Sequence, residues 1–122
     1  LDEPLITALH PQLLLTQALC DVCAVSEDDV RAIAARLPAV DGARPRVVTL
    51  EATTLDGVLR DVAAVADALG LPDEGEELLD GLRARMAHVH DVLKAAQSPR
   101  PRVAVIEWTD PVFPAGHWTP EM

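Results

Sequence analysis

Two cysteines stand three positions apart in "LTQALCDVCAVS", and no other cysteine occurs in the 122 residues. A C-x-x-C pair can give soft ligands to a metal, cycle between dithiol and disulfide, or pack as two small apolar side chains. A closed zinc site needs four ligands, and neither a second C-x-x-C nor a pair of suitably spaced histidines supplies the rest. His10, His88, His90 and His117 are scattered, and the spacing of His88 and His90 sets them on nearly opposite faces of a helix. For redox work the pair follows a strand pattern and precedes a helix start, whose dipole lowers a thiol pKa. Asp21 between the two works against the thiolate. Of the three readings, packing asks least of Cys20 and Cys23.

A second unusual stretch is "EWTDPVFPAGHW", which begins at Glu107. Tyr is absent, and the only aromatics are Trp108, Phe113 and Trp118. Rings concentrated in a loop with two prolines and a glycine suit either a recognition surface or a cover over a sheet end. No nucleophile elbow, P-loop, dinucleotide fingerprint, H-E-x-x-H or paired-carboxylate arrangement occurs, so the sequence is read as non-enzymatic. Glu74, Glu76, Glu77 and Asp80 read as the solvated first turns of a helix.

The elements that must carry these stretches alternate. Leu5, Ile6 and Leu9 recur at helical spacing until Pro11, and "QLLLT" after it suits a buried strand. Ser26 followed by Glu27, Asp28 and Asp29 announces a helix to about Leu37, closed by Pro38 and Gly42. "RVVTL" after Pro45 marks a second strand, parallel to the first through a crossover. Thr53 or Thr54 caps a helix with Leu55, Val58, Leu59, Val62, Val65 and Leu69 on one face, stopped by Gly70 and Pro72. The longest element covers about residues 73–97, with Leu78, Leu82, Met86, Val89 and Leu93 as its apolar stripe. "SPRPR" breaks it and launches a third strand, "VAVIE". Both unusual stretches follow strand ends, where open α/β sheets gather ligands.

Twenty acidic against ten basic residues give a formal net charge of −10, the wrong sign for holding a phosphate backbone, so a nucleic-acid partner is not expected. The apolar runs are too short to span a bilayer. Leu1 falls in what reads as a helix start and the chain stops after "GHWTPEM", so the sequence reads as a piece of something longer.

"ALHPQLLLTQ", "LCDVCAVS", "RVVTLEATTLDGVLRDV" and "RPRVAVIEWTDPVFPAGHWTPEM" together resemble the middle of cobalamin-type periplasmic substrate-binding proteins of ABC importers, which include iron-siderophore receptors. The resemblance implies an α/β, bilobal periplasmic-binding-protein fold, with Rossmann-like lobe pieces joined by a long backbone helix. Residues 1–52 would be the last part of the first lobe, 53–98 the connecting helices, and 99–122 the start of the second lobe.

Its implied function is capture of a corrinoid or related metal chelate, cobalamin or a ferric siderophore, in the cleft between lobes for transport, with no permanently bound cofactor. Gln17, Cys20, Cys23, Trp108, Asp110, Phe113, Gly116, His117 and Trp118 are the cleft candidates. Asp2 and Glu3 lie beside the position of the acid that docks on the importer permease. The resemblance implies a periplasmic or extracellular, membrane-associated protein, while the residues alone leave a cytoplasmic location open. Two alternatives stand beside it: a thiol-dependent redox or metal-binding protein using the C-x-x-C pair, and a non-catalytic α/β interaction module. Open sheet edges also suggest a homodimer.

Overall fold

The computed structural model describes residues 1–18 and 25–116. The first helix, α1, runs Glu3–Leu9, where the Asp2 carboxylate accepts from the Leu5 amide at 3.0 Å and Pro4 occupies the first turn without wasting an amide. His10 closes it in the left-handed region. Strand β1, Leu13–Gln17, then pairs in parallel with β2, Arg46–Leu50, so that Leu13 faces Arg46 and Gln17 faces Leu50.

Helix α2, Glu27–Arg36, supplies the crossover between these strands. Ser26 caps it, its hydroxyl accepting from the Asp29 amide at 3.1 Å. Alternation along the strands puts Leu14, Thr16, Val47 and Thr49 on one face of the sheet. That face meets α2: the Thr49 hydroxyl donates to Glu27 at 2.8 Å, and Arg31 donates to both Glu27 and Thr49. Both donors hold the Glu27 carboxyl below its ordinary pKa, the Thr49 hydroxyl more than Arg31.

On the opposite face lie Arg46, Val48 and Leu50. There the chain builds a helical hairpin from α3, Leu55–Leu69, and α4, Pro72–Ala95. Arg46 donates to the carbonyl of Ala68 at 3.3 Å, fastening the end of α3 to β2. Among the described residues the buried hydrophobic side chains are Ile33, Ala34 and Leu37, on the α2 side of the sheet, and Leu79 in the helical hairpin, so each side has its own small buried patch.

Strands β3, Ile106–Thr109, and β4, Val112–Pro114, form an antiparallel hairpin around Asp110 and Pro111, and every residue in both is exposed. The sequence expectation fails here. The strand expected over residues 103–107 begins at Ile106, and its partner is β4 beside it in the chain. A two-residue connection returns the chain at once, before any crossover can form. The described residues thus make one small α/β domain of four helices and two two-stranded sheets. They do not make two Rossmann-like lobes joined by a backbone helix, and the bilobal periplasmic-binding-protein fold is corrected accordingly.

Candidate functional site

The connection between α3 and α4 is a C-terminal glycine motif. Gly70 adopts a left-handed φ of 74°, its amide reaches the Asp67 carbonyl at 3.2 Å, and the Leu71 amide reaches Ala66 at 2.9 Å. Pro72 then opens α4 without forfeiting a helical hydrogen bond. With so short a turn the two helices must pack antiparallel. They meet at Gly75, where an added Cβ would collide with the Ala66 methyl. Leu79, one turn further, is 3% exposed.

The close crossing aims one row of α4 at α3 and leaves the next row open. Leu78 is 54% exposed and Val89 57%. Beside the turn, Leu50, Val62, Val65, Leu69, Leu71 and Leu78 line about 500 Å³ of open groove. Toward the other end, Leu55, Leu59, Leu82, Met86 and Val89 line about 570 Å³ more. Val58 belongs to both, so the two stretches form one apolar trough along a single flank of the hairpin. Glu74 stands at the turn end and Arg85 at the far end, while Asp61, midway along α3, accepts from the Ala52 amide at 3.2 Å. The other flank is polar: Arg83 donates to Glu76 at 3.1 Å and Asp80 at 3.2 Å, and these carboxylates, Glu76 first, raise its pKa.

The residues singled out from the sequence fall elsewhere. Gln17 ends β1, opposite Leu50. Trp108 and Phe113 are register partners across the β3–β4 hairpin, and the Trp108 indole donates to the Asp110 carbonyl at 2.9 Å, so these three do come together. Gly116 follows β4. Cys20, Cys23, His117 and Trp118 lie outside the described residues. Asp2 caps α1, and Glu3 makes a two-pronged ion pair with Arg36 at 3.0 and 3.2 Å that lowers the glutamate pKa. Among the described residues no three His, Cys, Asp or Glu side chains are grouped to hold a metal ion, and no helix is long and apolar enough to cross a membrane.

The trough itself was missed as a site, although most of its apolar residues were recognised as helix stripes. The apolar faces of α3 and α4 read as core stripes, yet Leu69, Leu78, Met86 and Val89 on them stay exposed. The available signal was length: α4 has 24 residues and α3 only 15, so one helix cannot cover the other.

No family model, curated protein or solved structure compared with the chain matches it. The resemblance to cobalamin- and siderophore-type binding proteins is therefore overturned, and with it the reading as an ABC-importer component capturing a corrinoid or metal chelate for transport. The stretches behind that reading carry β1, β2, the start of α3 and the β3–β4 hairpin, and these assemble as two separate two-stranded sheets. What the fold and its geometry define is a small α/β domain carrying an open helical groove.

Proposed function

We propose that the chain is a non-catalytic α/β interaction module that docks an apolar helical segment of a protein along the α3–α4 trough. The observation that carries this reading is the apolar trough whose two stretches share Val58, with half-buried Val58, Leu59, Val62, Val65 and Leu82 lining it and Leu69, Leu78, Met86 and Val89 exposed along it. Monomeric soluble proteins rarely leave so much contiguous apolar surface uncovered unless something binds there. A trough between two antiparallel helices presents rows at i, i+3, i+4 and i+7, into which the ridges of a third helix fit. Its lining is mostly apolar, so binding would be driven by apolar burial, with Glu74 and Arg85 setting orientation.

The test is fluorescence anisotropy of a labelled amphipathic helical peptide, with a proline-rich peptide of equal length as control. Saturable binding of the helix, weakened at least about tenfold by Val62→Asp and by Leu78→Asp while circular dichroism stays unchanged, is the expected result. Absence of saturation up to about 1 mM, or equal binding by both variants, would overturn the proposal.

A further inference from the structure

We infer that the helix taken up by the trough is the carboxyl-terminal half of α4 from a second copy of the chain, in a two-fold antiparallel dimer; this rests on the docking reading above.

Three observations converge on a second copy. The first is reach. Helix α4 outruns α3 by nine residues, 24 against 15, and in the overhang Val89, Val92 and Leu93 are each more than half exposed. The protein thus carries both an apolar trough and an apolar helical end. An isologous interface lets each copy fill the other's trough with the same residues.

The second is charge. The first half of α4, residues 72–83, holds Asp73, Glu74, Glu76, Glu77 and Asp80 against Arg83, which is itself paired with Glu76 and Asp80, whereas the second half holds Arg85 and Lys94 against Asp91. Antiparallel pairing sets acidic half against basic half, and parallel pairing sets like against like. The trough's turn end, where Glu74 stands, then faces the second half of α4, which carries Arg85. The net charge of −10 opposes association in general, so apolar burial supplies the affinity and the local pattern selects the direction.

The third is Gly81. It lies in the interior of α4 between Leu78 and Arg85, both of which line the trough, and nothing stands within 4 Å of where its Cβ would be. A glycine in an exposed helix interior is unfavourable relative to alanine, and nothing within the described residues requires one here. A missing side chain at a helix crossing lets two backbones approach closely, as Gly75 does within the protomer. A two-fold axis through Gly81 puts position 88 of the second copy opposite Glu74, so Arg85 there is offset by three residues, about 4.5 Å, within reach of a long side chain.

Sedimentation of the full chain from micromolar to submillimolar concentration tests this. A monomer–dimer equilibrium is expected, weakened at least about tenfold by Gly81→Leu, by Arg85→Glu and by Glu74→Arg, and restored when the two charge reversals are combined. Thermal melts would verify that Gly81→Leu folds, since leucine favours the helix. A chain that stays monomeric, or a dimer indifferent to all three substitutions, would overturn the inference. Should a monomeric chain still bind the helical peptide, the dimer alone fails and the docking module stands. Should neither association occur, both fall.

Discussion

Gly75 of α4 lies against Ala66 of α3 with no room for a methyl group between them. That contact fixes how closely the helices cross and therefore how α4 is rotated. Rotation in turn decides which leucine is buried: Leu79 faces α3 at 3% exposure, and its neighbour Leu78 looks into the trough at 54%.

Gly75→Val is expected to destabilise the protein by about 2 kcal/mol, because the added carbons meet the Ala66 Cβ and cannot swing aside. Gly81→Ala, six residues along the same helix, meets open space and should stabilise by up to about 1 kcal/mol through helix propensity. Urea denaturation of both variants at a low, fixed concentration checks the opposite signs; equal effects would show that the crossing is not where Gly75 places it.

Adjacent leucines should part in the same way. Leu79→Ala is expected to cost about 3 kcal/mol by removing a buried side chain and leaving a cavity, and Leu78→Ala about 0.5 kcal/mol or less in the isolated protomer. The difference in denaturation midpoints is the measurement.

Thr54 accepts the Gly57 amide at 3.1 Å and caps α3. Thr54→Ala should lose about 1 kcal/mol, and Thr54→Ser should retain most of the stability because a hydroxyl remains in place. Thermal melts of the pair separate loss of the cap from loss of the methyl group.

Glu27, held by Thr49 and Arg31, has a folded pKa below its ordinary value, as does Glu3 beside Arg36. A depressed carboxylate pKa contributes stability that is fully present above the unfolded value, roughly 4.3, and is lost as pH falls through the folded one. Acid unfolding should therefore steepen below about pH 4.3, and Glu27→Gln should flatten that part of the profile. The effect is small because both side chains are partly open to solvent, which screens them. A profile identical to wild type would mean that the α2–β2 cluster does not persist in solution.

Much of the local structure was legible in the chain. Ser26 and Thr54 announced their helices as side-chain caps, Gly70 with Pro72 announced the break between α3 and α4, and "RVVTL" coincides with β2 at Arg46–Leu50. These signals are decided within a few residues: a hydroxyl reaches an amide three positions on, and a left-handed φ needs glycine wherever it falls. The candidate site was legible only as ingredients, because amphipathic stripes mark faces that avoid water without saying what covers them.

By itself, then, the sequence determined element types, caps and the parallel pairing of β1 with β2. Tertiary structure alone decided that β3 returns on β4, that Leu79 rather than Leu78 enters the core, and that the remaining stripe stays open as a trough. Each of these depends on contacts between segments distant from, or competing with, the local pattern. A Gly75–Ala66 crossing rotates a whole helix, and no periodicity within that helix records the angle.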